Sequence, residues 1–491
     1  MKRRADLFLF FLSPILLNLA FAPFPFRFFS YFSLIPLLYL IEKSPTKKAI
    51  LYSFLFYFLF ALFHLWWLYF LVVPILGITK FLLYLGILVL FLYFGLYGLV
   101  FGFLVKKLGI FIAPFLWAVL EFIRTKSEIG FPWGLLGYTQ MPYLPLIQFA
   151  SLTGVYGVSA FVVFVNLIIY KLVFLPNKVK KMRWAAVLIL AFLLPLSYGI
   201  FRIRSARGNF KVAIIQPNVS PYEKGEAESI EEILSSLFNL TNQALEEKPD
   251  ILLYPETASL FDITKENWVK KEFEKISNLA NVYLLIGTPI YEGGNYYNGA
   301  VLFEPEKGIS GIYKKIHPVP FSERIPYVDK FPIFKPFATA DMGDFTPGKD
   351  FTIFQTPFGK FSCLICFESI FPDLTREFAL RGADILVNIT NDGWFGKTLG
   401  PYQHCELAIM RSLELGKPLL RSANNGISLI CDPYGRVVRK TKLFTKELLF
   451  GLLPKPLPPT IYQKFGDWFI LFSLGIVVLT GVKKIVKLKK R

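Results

Sequence analysis

The chain has 491 residues, of which 54% are hydrophobic and 17% aromatic, with a mean hydropathy of +0.49 and a formal charge of +19. A hydropathy this high places the surplus in membrane spans, and four cysteines against 53 phenylalanines exclude disorder, a collagen-like repeat and a disulfide scaffold. Residues 208–451 hold 26 Lys+Arg against 30 Asp+Glu, so the basicity belongs to the hydrophobic parts; this argues against nucleic acid as a partner and for membrane flanks.

A helix crossing a bilayer needs roughly 20 apolar residues, because backbone groups in hydrocarbon have no water to bond. In chain order the apolar runs are 7–24, 26–41, 49–72, 81–105, 109–123, 144–174 and 184–200, and, after a long polar stretch, 468–482. They predict a multi-span α-helical membrane bundle of about eight spans. With the N-terminus cytoplasmic, the cytoplasmic ends carry Lys2, Arg3, Arg4, Lys43, Lys47, Lys48, Lys106, Lys107, Lys178, Lys180, Lys181, Arg183 and the basic tail from Lys483 to Arg491. The opposite short loops hold only Arg27, Lys80, Arg124 and Lys126. That asymmetry sets orientation. Seven spans and then one put the polar middle outside the cytoplasm. Lys2-Arg3-Arg4, an apolar run and Ala20-Phe21-Ala22 also have the form of a cleavable signal peptide. Pro23 after the cut, and another apolar run at once, favour an uncleaved first span. The expected division is 1–202 for the N-terminal bundle, 203–465 for an extracytoplasmic domain, and 466–491 for a last span with a cytoplasmic tail.

The middle region changes period. Residues 211–216, 251–254, 282–287, 300–303, 361–366, 385–389 and 427–431 are short β-rich runs bounded by turn residues. Within 229–247, Ile230, Ile233, Leu234, Leu237, Thr241 and Ala244 share one helical face. Strands alternating with helices predict an α/β domain of about 250 residues, large enough for its own core.

Few residues there suit catalysis. Histidine occurs only as His64, His317 and His404, and no G-x-S-x-G elbow accompanies them. His64 lies in an apolar span beside Trp66 and Trp67 and reads as a packed or interfacial residue. Glu121, near a span end, reads as interfacial. Cys363 and Cys366 are spaced C-x-x-C, but an offset of three along a strand points them to opposite faces, and no second ligand pair stands at zinc spacing. No metal site is expected. Cys366 ends an apolar strand and precedes the helix-like 373–381, a place where α/β folds expose reactive groups. A buried structural thiol is the plainer reading for any strand cysteine. Cys363 and Cys431 fit it, and Cys405 sits in a predicted helix.

Context separates Cys366 from the others. Tyr254-Pro255-Glu256-Thr257-Ala258 and Tyr313-Lys314-Lys315-Ile316-His317 each follow a strand, so Glu256, Lys315 and Cys366 recur past strand ends in that order. This trio resembles the nitrilase, or carbon–nitrogen hydrolase, superfamily. Six further motifs resemble its membrane-bound branch, the apolipoprotein N-acyltransferases. They are Phe131-Pro132-Trp133-Gly134, Gly137-Tyr138-Thr139-Gln140, Gly154-Val155-Tyr156-Gly157, residues 319–326, Asn391-Asp392-Gly393-Trp394-Phe395-Gly396 and Arg421-Ser422-Ala423-Asn424-Asn425-Gly426. The chain departs from the family pattern at Phe367, where Tyr is frequent, and at Lys224-Gly225, where Lys-Trp is frequent.

The resemblance implies an α/β nitrilase-like α-β-β-α sandwich with Cys366 as nucleophile and Glu256 as general base. Lys315 would stabilise the oxyanion and favour the thiolate. Glu323 and Glu368 would orient Lys315 and the nucleophile loop; without the resemblance they read as surface carboxylates. No cofactor is implied. The donor would be a phospholipid acyl chain and the acceptor a diacylglyceryl-cysteine apolipoprotein. The reaction would be ping-pong through a cysteine thioester, as the last step of bacterial lipoprotein maturation. The location would be the bacterial inner membrane, with the catalytic domain on the periplasmic side. Trp133, Trp394 and Phe395 would line the substrate entrance, or serve as belt anchors at the interface. Two other readings stand beside this one. A tethered amidase or nitrilase would form no acyl-thioester from phospholipid. A transporter or scaffold with a dead hydrolase-like domain would not need Cys366.

Overall fold

A computed structural model describes residues 2–71, 78–220, 230–331 and 345–489. The first half is helical: α1 (Lys2–Leu19), α2 (Ile35–Lys43), α3 (Thr46–His64), α4 (Ile78–Leu108), α5 (Ala113–Arg124), α6 (Leu144–Ile147), α7 (Ala150–Phe174) and α8 (Lys178–Arg202). Among the described residues, five stretches are long and apolar enough to cross a bilayer: Thr46–Phe70, Leu83–Leu108, Ala150–Phe174, Lys178–Arg202 and Trp468–Lys489. The other anticipated spans are shorter than their apolar runs, for local reasons. Pro36 and Pro114 stand at the first positions of α2 and α5, where proline starts a helix rather than extending one. Gly109, at φ 109°, breaks the chain before α5.

The two ends of the bundle differ. At one end Lys106 Nζ donates to the Glu42 carbonyl at 2.9 Å, Lys171 pairs with Glu42 at 3.6 Å, and Lys484 donates to the Lys107 carbonyl. The basic flanks of α2, α4, α7 and the last helix thus meet on one face. At the other end Arg27 pairs with Glu406 at 2.6 Å, Lys126 pairs with Asp373 at 2.9 Å, and Glu128 accepts from the Tyr327 N–H at 2.7 Å. These bonds dock the α/β part.

That part contains β1 (Lys211–Gln216), α9 (Ile230–Leu245), β2 (Ile251–Leu253), α10 (Trp268–Ala280), β3 (Tyr283–Glu292), β4 (Asn295–Glu304), β5 (Gly308–Lys314), β6 (Ile353–Thr356), β7 (Gly359–Ile365), α11 (Pro372–Leu380), β8 (Ile385–Thr390), α12 (Gly400–Leu415), β9 (Leu419–Ala423), β10 (Leu429–Cys431), β11 (Val437–Lys440) and β12 (Glu447–Leu452). The chain ends in α13 (Ile461–Phe465) and α14 (Trp468–Lys489). Two six-stranded sheets form, in the orders β12-β1-β2-β3-β4-β5 and β11-β10-β9-β8-β7-β6. Strands β1–β3 and β7–β9 run parallel at their centres.

Alternation along the strands builds the layers. Val212, Ile214, Ile251, Leu253, Ile385, Val387 and Ile389 meet between the sheets. Ala213, Ile215 and Leu252 turn instead to α9 and α10, with Leu234, Leu237 and Phe273. The other outer layer, α11 and α12, joins the core of the membrane bundle: Leu407, Ala408, Met410 and Leu413 of α12 share one cluster with Trp67, Trp133, Tyr138 and Val155. The result is an α-β-β-α sandwich whose second helical layer is buried against the bundle.

Two expectations change here. Glu121 is buried, not interfacial: it accepts from Trp117 Nε1 at 2.8 Å and from the Leu136 N–H at 2.7 Å. The segment 125–143 folds back on α5 and supplies that backbone donor. Trp133, on the same segment, is 1% exposed and is no belt anchor.

Candidate active site

Both sheets present the C-terminal ends of their parallel strands to one place. Glu256 follows β2 there, in a turn allowed by Gly287 of β3, where a Cβ would lie 2.4 Å from the Pro255 carbonyl oxygen. Lys315 follows β5, its N–H donating to the Asn298 carbonyl at 2.8 Å. Cys366 follows β7. The strand was expected to include Cys366, but it stops at Ile365; Cys366 turns to φ 53° and opens a short 3₁₀ helix, Cys366–Ile370. A non-glycine residue in the left-handed region is held there by its surroundings. The opposite-face argument therefore does not apply to Cys366, and Cys363 lies buried between the sheets.

The three groups interact. Lys315 Nζ lies 3.7 Å from Glu256 and 2.8 Å from Glu323, and is buried at 2% exposure. Asn298 Nδ2 donates to Glu256 at 2.8 Å and to Glu323 at 3.1 Å, while the Asn391 N–H donates to the other Glu256 oxygen at 2.8 Å. Glu323 also accepts from the Val319 N–H at 2.7 Å, which ties the 319–326 motif to the lysine. Cys366 interacts with Glu256, Lys315 and Asp392, and with the Thr390 side chain.

Glu368 is no surface carboxylate. It accepts from the Ile365, Ile316 and His317 N–H groups at 2.7, 2.7 and 3.0 Å, and from the Tyr313 hydroxyl at 2.8 Å. It therefore fastens the turn after β5 to the turn after β7, bringing lysine and cysteine into one frame. Burial pushes its carboxyl up to about 7, against the pull of Lys315 and these donors.

Burial likewise raises the Cys366 thiol, and Glu256 adds to that, while Lys315 opposes it. The net direction is upward, and Lys315 is the neighbour that pulls the thiol back toward the thiolate. Burial also raises Glu256, with Lys315 opposing, which makes it a more avid proton acceptor than a surface glutamate. For Lys315, burial alone would lower the ammonium, but Glu323 and Glu256 more than offset it and keep it charged.

Aromatic residues wall Cys366 on the bundle side. The Phe131 ring lies 6.3 Å from Phe367, and Phe367 lies 5.1 Å from Phe371, which stacks on His317 at 4.2 Å. Trp133 and Phe395 come together at 5.9 Å, and Trp67 meets Phe395 at 5.1 Å. Trp394 stands apart from this wall in being 37% exposed. Lys224-Gly225 lie outside the described residues.

Sequence reasoning passed over Asn298, Thr390 and Tyr313, and the buried set Asp392, His404 and Arg421. His404 Nδ1 lies 2.8 Å from Asp392, and Arg421 Nη2 donates to Asp392 at 2.7 Å. Burial alone would raise the Asp392 carboxyl, but Arg421 and His404 outweigh it and hold the group well below the usual carboxylate range. The one available signal was that Tyr313, Thr390, Asp392 and Arg421 lie in or next to the quoted motifs; Asn298 and His404 do not.

The carbon-nitrogen hydrolase family pattern matches residues 211–456, and the apolipoprotein N-acyltransferase N-terminal domain pattern matches residues 13–168. The apolipoprotein N-acyltransferase of Geobacter metallireducens is 34% identical over 77% of this chain and 75% of its own length. That of Haemophilus ducreyi is 31% identical over 96% and 95%. Among solved structures, an amidase from Nesterenkonia sp. is 17% identical with a TM-score of 0.39, covering 53% of this chain and 94% of its own. The chain belongs to the apolipoprotein N-acyltransferase family.

Proposed function

We propose that this protein N-acylates the diacylglyceryl-cysteine of apolipoproteins with an acyl chain from phospholipid, by way of a thioester on Cys366. The observation that carries this reading is the convergence of Glu256, Lys315 and Cys366 behind an aromatic wall to which both the bundle and the sandwich contribute. In the first step the Cys366 sulfur attacks the ester carbonyl while Glu256 takes the thiol proton. Lys315 faces the developing oxyanion, and such a donor contributes about 10²–10³ in rate. The ester C–O bond breaks, and Glu256 returns the proton to the departing lysophospholipid alkoxide. In the second step the acceptor amine attacks the thioester, Glu256 takes the amine proton, the C–S bond breaks, and the thiolate is reprotonated. A raised thiol suits this sequence, because proton transfer to Glu256 then accompanies attack. Phe131, Phe367 and Phe371 would keep water from the acyl-enzyme, with Trp394 and Phe395 at the entrance.

The same reading assigns residues 1–202 to the first bundle, 203–465 to a periplasmic catalytic domain, and 466–491 to the final span and cytoplasmic tail of an inner-membrane protein. It counts the eight apolar runs as crossings, with α1, α2, α3, α4, α5, α7 and α8 lying in the first seven and α14 in the eighth. In its support, the basic flanks gather at the bundle end opposite the sandwich.

Incubation of the full-length protein with phosphatidylethanolamine should add one acyl mass, released by hydroxylamine, that is absent from Cys366→Ala and present in Cys363→Ala. A wild-type protein that gains no such mass overturns the reading.

A further inference from the structure

The carbonyl oxygen of Cys366 collects three side-chain donors. Ser369 Oγ donates at 2.9 Å, His404 Nε2 lies at 3.2 Å and Asn388 Nδ2 at 3.4 Å. A carbonyl offers two lone pairs and can only accept, and so can the Asp392 carboxylate that faces His404 Nδ1 at 2.8 Å; with both contacts made as hydrogen bonds the ring carries a proton on each nitrogen, and the Cys366 oxygen is held from more directions than it needs. The peptide so held is the one attached to the candidate nucleophile. In a trans peptide the N–H points opposite to the carbonyl. Fixing the Cys366 oxygen therefore also fixes the direction of the Phe367 N–H, which lies in the first turn of a 3₁₀ helix and has no acceptor within it.

The donors are themselves held. Arg421 Nη2 donates to Asp392 Oδ2 at 2.7 Å, its Nη1 donates to Asn388 Oδ1, and its Nε donates to the Ile427 carbonyl at 3.2 Å. Asn388 Nδ2 also donates to the Leu364 carbonyl at 2.9 Å. His404 Nδ1 sits between Asp392 Oδ1 at 2.8 Å and Arg421 Nη2 at 3.2 Å. One buried guanidinium thus orients Asn388 and, through Asp392, His404.

The imidazole has a second support, from outside the sandwich. The Trp133 indole stacks on it with centroids 5.7 Å apart and planes 26° apart. Trp133 donates Nε1 to Gln403 at 2.7 Å, and its carbonyl accepts from Arg124 of α5 at 2.9 Å. A continuous set of contacts therefore runs from a bundle helix to the nucleophile's own peptide.

We propose that His404 is a positioning residue: its Nε2–H on the Cys366 carbonyl holds the left-handed nucleophile turn, and Trp133 makes that hold depend on the membrane bundle. This rests on Cys366 being the acyl acceptor. Small displacements of a reacting group cost on the order of 10²-fold in rate. The test measures single-turnover acylation of full-length protein by phosphatidylethanolamine in detergent micelles. In His404→Ala the rate at saturating lipid should fall about 10²-fold, with the half-saturating lipid concentration unchanged. His404→Gln, whose amide can still donate, should recover most of that loss. Trp133→Leu, which keeps His404, should lower the same rate by about tenfold without moving half-saturation. An unimpaired His404→Ala, a Gln variant as slow as the Ala variant, or an unimpaired Trp133→Leu overturns the proposal. Wild type that takes no acyl group on Cys366 is a distinct result, and it removes the acyl-transfer reading beneath it.

Discussion

Lys315 stands between two carboxylates, 3.7 Å from Glu256 and 2.8 Å from Glu323, with Asn298 donating to both. Replacing it by alanine leaves the buried Glu256 and the half-buried Glu323 facing each other and removes the proposed oxyanion partner. Acylation of Cys366 should then fall by about 10²–10³-fold, read as the initial rate of thioester formation. Glu256→Gln keeps a group that can still bond Asn298 but accepts no proton, and should abolish the adduct. The pH dependence has a definite sign. Burial raises both Glu256 and Glu368, the latter to about 7, so each takes up a proton at higher pH than an exposed glutamate. Protonated Glu256 cannot act as base, and protonated Glu368 loses acceptor capacity needed by four donors. The rate should therefore fall as pH drops from about 8 to 5, with a midpoint well above that of an exposed carboxylate. A flat profile over that interval would contradict the assignment.

At the level of elements, the glycine motif in α7 shows how a helix break serves an interface. Gly154 has φ 68° and ψ −177° within an otherwise helical run. The break lets the Val155 N–H donate to Glu414 of α12 at 2.7 Å, and the missing side chain leaves room for the Tyr462 ring, which a Cβ would approach to 2.6 Å. Gly154→Ala should lower stability by about 1–3 kcal/mol through strain alone, measured as a drop in melting temperature of the detergent-solubilised protein. Legibility varied among the strands for similar reasons. β1 and β8 are apolar runs and could be read directly. β9 could not, because Arg421 interrupts it and looks like a surface residue until Asp392 and Asn388 are seen to pair with it. β11 is exposed along its whole length and carries no hydrophobic pattern. The short α2 and α5 were overextended because apolar composition continues past the proline and glycine that set their ends.

For the molecule as a whole, α12 joins the two halves. It is buried on both sides, by the sheet containing β7 and by the bundle, and Gln403 on it accepts from both Trp67 and Trp133, at 3.2 and 2.7 Å. A rigid junction of this kind holds Glu256, Lys315 and Cys366 at a fixed height above the spans, as the proposed acyl transfer from lipid requires. The orientation can be checked by labelling intact cells with a membrane-impermeant maleimide, because the four native cysteines are all buried. Lys265→Cys, on an exposed loop of the sandwich, should label from outside, and Lys487→Cys, at the basic end of α14, should not. Labelling of the second without the first would reverse the topology.

Composition, hydropathic period and the order of short motifs determined the division into apolar helices and an α/β part, the asymmetry of basic flanks, and the strand-end placement of Glu256, Lys315 and Cys366. These are properties of neighbouring residues, so they can be read along the chain. The tertiary structure decided which buried polar groups meet. Asn298 reaches Glu256 from a position 42 residues away, Glu368 reaches Tyr313 across 55, and Trp133 comes within hydrogen-bonding distance of Gln403 across 270. Contacts of that range follow from sheet order and layer packing. In the sequence alone the same polar side chains cannot be told from residues that face water.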